Sequence, residues 1–398
     1  MIFRQVREEN ALRIARRQVP ARICGVSLPQ AVDYLRIWNI KMVRVPASFQ
    51  IGPRFKEIRM IAMQFIFLFL GFTLYLANAQ YASAGQPTSV IEGAKKEGQL
   101  VFYGTMELTM SKKLADMFEK RYPFIKTNII RLGSERLATR VTAEAQARSV
   151  QADVISESEM DFYALFKKGF IEPYESRERD AFKNEYKDDK GSWTIGSETL
   201  AVLAYNTNLL KPPEIPKNWI ELTSPKWKGK VMIDENESKW MGGLFTVWGE
   251  ERTLDFLKRM AEQDVKVIGG HSQMHTLLAA GEAPIMVAAL VHGLEQKKRE
   301  GAPVEWIPLE PLISRQFALA LTRGAPHPNA GKLYIDFLLS KEAQQEIASY
   351  GYTSGRKDVD SNVLKRLPSS MKIVPVSPEM GERYNEYFKL YRRTMKLE

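Results

Sequence analysis

Two short segments limit the possible folds of this chain most severely. Residues 199–205 (TLAVLAY) and 317–322 (FALALT) are apolar at nearly every position. A strand with one wet face alternates apolar and polar residues, so these two must be covered on both faces. Layers of helix on either side of a sheet meet that requirement, which places the chain in the α/β class.

The flanking sequence supplies such layers. Residues 100–103 read as a strand and 111–121 as a helix with Leu114, Met117 and Phe118 on one face. A strand at 127–132 precedes a helix at 134–148, and a strand at 153–155 precedes a helix at 160–168 that Gly169 ends. Three successive strand–helix units imply a parallel sheet with right-handed crossovers. Between the two apolar segments the pattern repeats: strands at 230–233, 265–268 and 283–291, one or two helices across 240–261 and a helix at 271–280. The segments therefore read as crossings between two lobes. Residues 88–198 with 317–398 form the first lobe, and 199–316 form the second. The chain from about 364 onward reads as a helical or irregular cap.

Charge is unevenly distributed. The sequence has 57 Lys+Arg against 47 Asp+Glu, but residues 1–59 alone hold 12 against 4, and residues 60–79 hold none. The body from Gln80 onward is nearly neutral, so nothing electrostatic draws it to a phosphate polymer, and no nucleic-acid partner is expected. Residues 61–76 form an apolar run behind Arg54, Lys56 and Arg59, followed by Ala77-Asn78-Ala79. This is the pattern of a cleaved signal peptide, too short to span a bilayer comfortably, and it predicts a mature periplasmic protein beginning at Gln80. Residues 1–59 then form a basic N-terminal extension, either untranslated upstream sequence or a long n-region. Cys24, the single cysteine, allows neither an internal disulfide nor a cysteine-based zinc site.

Several blocks stand out: AKKEG at 94–98, YNTN at 205–208, Trp219 and Leu222 with PKWKGK at 225–230, AAGE at 279–282, APHPNA at 325–330 and FLLSKE at 337–342. In order and spacing they resemble the periplasmic solute-binding proteins of ATP-binding-cassette importers, in the group that includes the ferric-ion binders. The resemblance spans about two thirds of the chain. It implies a two-lobe periplasmic-binding fold of type II, each lobe a mostly parallel sheet flanked by helices. It also implies solute capture by hinge closure, a permease and its ATPase as partners, a monomer, and no cofactor or catalysis.

Ligands in such sheets settle beyond the carboxyl ends of the strands. The candidate ligand-binding residues on those loops are Thr105, Glu107, Ser134, Ser156, Trp240, His271, Ser272 and His292, with Tyr350 and Tyr352 as further candidates. Helix-capping is the competing role for Ser134 and Ser272, and core packing for the tryptophans. Tyr205 and Arg356 are weaker candidates, and His327 reads as structural. The ferric binders' neighbouring tyrosine pair is absent, since residues 288–294 read AALVHGL. His271 and His275 have metal-ligand spacing but lack a third partner. These features favour a small organic or oxyanionic solute, with ferric ion as the alternative. A receptor-linked sensing module is a further alternative. A hydrolase is disfavoured because Met274 breaks GxSxG, SGRK at 354–357 has no accompanying KTG, and no phosphate loop occurs.

Overall fold

The computed structural model describes residues 88–397. The expected N-terminal extension and signal peptide lie outside them. The first strand–helix set comprises α1 (Thr88–Glu97), β1 (Gln99–Gly104), α2 (Leu108–Arg121), β2 (Lys126–Arg131), α3 (Ser134–Gln146), β3 (Val154–Ser158), α4 (Glu159–Lys167) and β4 (Ile171–Glu172). The crossing strand β5 (Thr194–Asn206) follows. The second set comprises β6 (Val231–Asp234), α5 (Ser238–Trp248), α6 (Glu250–Ala261), β7 (Lys266–Ile268), α7 (His271–Ala280), β8 (Ile285–Leu290), α8 (Val291–Arg299) and β9 (Val304–Ile307). The return strand β10 (Leu312–Thr322) leads to α9 (Pro328–Leu339), α10 (Lys341–Ser349), α11 (Asn362–Lys365), β11 (Ile373–Pro375) and α12 (Tyr384–Thr394).

The strands run in the order β2-β1-β3-β10-β5-β8-β6-β7. β1 is parallel to β2 and β3, and β6 is parallel to β7 and β8. β10 and β5 lie between these trios, antiparallel to each other and to their outer neighbours. This is the two-lobe α/β architecture, its halves joined through two long shared strands.

Side-chain alternation along the crossings assigns each residue to a core. Leu312 and Ile313 of β10 enter the two second-lobe cores, while Phe317, Leu319 and Leu321 enter one first-lobe core and Ala318 and Ala320 the other. Between these groups Ser314, Arg315 and Gln316 are polar yet buried. The Glu198 carboxylate satisfies two of them, accepting from Ser314 Oγ at 2.8 Å and Gln316 Nε2 at 3.1 Å, and also from Tyr186 and Thr353. The apolar pattern predicts the return crossing at 317–322. The passage between lobes lies earlier, at this polar waist.

The sequence blocks that carry the family resemblance serve mainly as scaffold. Glu97 accepts hydrogen bonds from the backbone N–H groups of Asn329 and Ala330 at the start of α9. His327 precedes that helix, its Nδ1 2.9 Å from Asp153. Asn206 closes a turn by accepting from Asn208 N–H at 2.9 Å while donating to Leu278 O at 2.8 Å. The C-terminal stretch does not stay on the first lobe. Residues 378–383 pack on α4, whereas α12 packs on α5 and α6, with the Tyr391 hydroxyl donating to Asp234 O at 2.6 Å.

Candidate functional site: a cleft at the strand ends

A cleft of about 600 Å³ opens where the carboxyl ends of the parallel strands in both lobes face each other. The first lobe contributes Thr105 and Glu107 after β1, and Arg131 and Gly133 to Arg136 at and after β2. The second contributes Asp234 to Asn236 and Lys239 after β6, Gly269 to Gln273 around the start of α7, and His292 after β8. Arg315, Phe317 and Tyr352 line the cleft from the waist side, and α12 adds Phe388 and Arg392.

Local sequence explains two of these walls. α3 and α7 begin after Gly133 and Gly270, which have no side chain to cap the first turn. Gly270 adopts φ 93, open to glycine but strained for other residues. The Asp234 carboxylate fixes this loop by accepting from Gly270 N–H at 2.8 Å. First-turn N–H groups of both helices are therefore available at the cleft, where the positive helix ends favour an anion. Thr105 Oγ1, His271 Nδ1 and His275 Nε2 are buried atoms at the same cleft with no hydrogen-bond partner.

Most cleft cations are held from behind by carboxylates. Arg315 Nε donates to Glu159 at 2.7 Å, and both side chains are nearly inaccessible. Lys239 of α5 meets Asp161 of α4 at 2.6 Å, each 6% exposed, forming a buried ion pair between the lobes. Beside it, burial and then the Asp161 charge push the Glu157 carboxyl well above its usual range. His271 Nε2 lies 2.9 Å from Glu237. Burial opposes the charge on this imidazole, but the Glu237 carboxylate outweighs it and raises the His271 pKa. Burial also raises Glu237, so the pair holds one proton more tightly than either group would alone. Across the cleft, Ser272 Oγ donates to Glu107 Oε1 at 2.8 Å, and Arg131 reaches both Glu107 and Ser272 at 3.3 Å. Asn236 bonds Glu135 and donates to the Tyr384 hydroxyl at 2.7 Å.

His292 has a different environment. Its ring stacks on Tyr352 with centroids 4.3 Å apart and planes 10° from parallel, and Nδ1 lies 3.1 Å from Thr199 Oγ1. Burial, helped by the His271 and Arg131 charges, lowers its pKa to about 3, leaving it neutral. Tyr352 accepts from the Glu107 backbone N–H, and burial raises its pKa.

The structure thus brings Thr105, Glu107, Ser134, His271, Ser272, His292 and Tyr352 together. Ser134 and Ser272 lie in the first turns of their helices rather than at the capping positions, which are glycines. Three candidates are corrected. Trp240 is wholly buried, edge-on to Trp219 at 5.1 Å, because the chain becomes helical at Ser238 and turns the indole into the core. Tyr350 lies outside the cleft, under the Arg299 guanidinium. Ser156 is inside β3 rather than beyond it, paired with Gly104 and Leu319. Of the weaker candidates, Tyr205 is core, and Arg356 is buried against Glu178 and Asp358.

Arg131, Arg315 and the α12 residues are not apparent from sequence, and Lys239 lies on a loop expected at the cleft without standing out as a ligand residue. The detectable signal for Arg315 was a polar triplet, SRQ, interrupting an apolar strand.

Residues 151–375 match the model of a family described as bacterial extracellular solute-binding protein. The chain belongs to that family, whose members bind solutes rather than transform them. An uncharacterized protein of Haemophilus influenzae is 30% identical over 274 residues, 65% of this chain and 77% of its own length. Iron uptake protein A1 of Synechocystis sp. is 23% identical over 315 residues, covering 72% of this chain and 85% of that protein. Among solved structures, the periplasmic binding protein AfuA of Actinobacillus pleuropneumoniae, with fructose-6-phosphate bound, superposes with a TM-score of 0.68. It is 24% identical, and the match covers 76% of this chain and 99% of that one.

Proposed function

We propose that this protein captures a small organic anion between its lobes and hands it to the permease and ATPase of an importer. The observation carrying this reading is the convergence of two uncapped helix N-termini, one from each lobe, on a cleft with unpaired donors and acceptors at Thr105, His271 and His275. Such an end contributes up to about 2 kcal/mol when shielded from water. That is a substantial part of the roughly 8 kcal/mol of a micromolar complex. An anion spanning both ends binds the closed form better than the open one, and only that difference favours closure.

Ferric ion fits the donor set less well. Among the described residues no group of three His, Cys, Asp or Glu side chains is arranged to hold a metal. The cleft phenol, Tyr352, is held in its neutral form by burial. The iron named for the Synechocystis relative keeps ferric ion in the test. In a thermal-shift titration of the full chain, organic phosphates, phosphonates or carboxylates are expected to raise Tm by several degrees at saturation. A shift with ferric ion alone would overturn the reading. Export follows from the apolar run at 61–76, with processing after Ala79. N-terminal sequencing of the exported monomer should begin at Gln80.

A further inference from the structure

The residue alternation that turns Arg315 and Phe317 of β10 toward the cleft turns Gln316 and Ala318 to the opposite face. There they line a second cavity of about 770 Å³. β5 supplies Ile195 and Glu198 to the same surface. Much of the remaining wall is aromatic: Phe162, Tyr163, Phe166, Tyr186 and Trp193. This volume falls within the range of small-molecule sites.

The two cavities differ in what they leave unpaired. Among the described residues, buried atoms without partners include three at the cleft and none in the rear cavity. Glu198 already accepts from Tyr186, Ser314, Gln316 and Thr353. Glu159 already accepts from Arg315 and from Gln316 N–H. A charged or many-hydroxylated guest would give up its hydration at these buried carboxylates without new hydrogen bonds from them. Asp188 is paired with Arg179, and the remaining charged wall residues, Lys183, Glu185 and Glu379, are exposed rather than buried within the cavity. A flat apolar guest loses little hydration and gains contact with the rings.

We propose that the rear cavity is a second binding site, backing onto the hinge strands, for a neutral, flat, aromatic small molecule. It does not depend on which solute occupies the cleft. The test uses the full chain with N-phenyl-1-naphthylamine, an uncharged dye that brightens in apolar surroundings. Saturable binding of one dye per chain is expected, not displaced by organic phosphates or carboxylates. Ser377→Trp, which fills part of the cavity, and Phe166→Glu, which charges the wall, should each weaken binding at least about tenfold. Circular dichroism and Tm check that each variant folds, and a folded Phe166→Glu decides alone if Ser377→Trp fails to fold. Non-saturable brightening, displacement by the anions, or parent-like binding in the folded variants would overturn the proposal. So would binding that appears only after removal of the residues preceding Thr88, which would assign the cavity to the chain's own leading segment.

Discussion

His292 shows how one residue's surroundings override its intrinsic chemistry. An exposed imidazole titrates near 6.5, whereas burial lowers this one to about 3. The folded state therefore binds its proton less readily than the unfolded chain does. Its stabilising contribution is complete above about pH 6.5 and is lost as pH falls toward 3. His275, lowered by burial, acts in the same direction, and His271, raised by Glu237, acts in the opposite one. The expected result is a Tm that declines on acidification below about pH 6.5, with a shallower decline in His292→Gln. A melting series from neutral pH to pH 4 measures it. At the Lys239–Asp161 pair, Lys239→Met should cost about 3–5 kcal/mol in urea unfolding, because Asp161 is left buried and uncompensated. Lys239→Met with Asp161→Leu should recover most of that loss. These charges were the hardest site residues to read from sequence. Lys239 and Arg315 look like surface residues until the carboxylates they meet, distant in sequence, are known. Glycines and small polar residues at strand ends, such as Gly133, Thr105 and Ser272, were legible because strand–helix alternation alone places them.

At the scale of elements, α7 was legible to the residue, since 271–280 starts after a glycine pair and ends at Gly281, which adopts φ 82. β3 was legible in kind but not in extent, because its polar tail of Ser156, Glu157 and Ser158 reads as a loop and yet is fully buried. The neighbouring α8 carries a close contact that periodicity does not encode. A Cβ on Gly293 would lie 2.1 Å from His275 Cε1. Gly293→Ala is expected to destabilise by about 1–3 kcal/mol through forced repacking. It should also weaken solute binding by displacing His275, as calorimetry on the folded variant would measure. The end of α1 acts at a distance: Glu97→Ala removes the acceptor for two N–H groups at the start of α9. Its expected cost is about 1 kcal/mol, read from denaturant midpoints.

Across the whole molecule, the two crossings were legible because an apolar run without alternation has few other places to go. The course of the C-terminal segment was not. α12 is amphipathic, but its sequence does not say which lobe it covers, and it lies on the second while residues 378–383 hold the first. Shared strands and this strap tie the halves together, so calorimetry of the full chain is expected to show one unfolding transition. Truncation after Pro375 removes the strap, including Tyr391, which is wholly buried. It should split or broaden that transition, whereas an unchanged single peak would assign the coupling to the strands alone. At the waist, the Glu198 carboxylate is held from the segment before β5, from β10 and from the turn after α10. Prying these segments apart would strip a largely buried carboxylate of its hydrogen-bond donors. The two halves therefore share a spine that resists being pulled apart, like the stitched binding of a book.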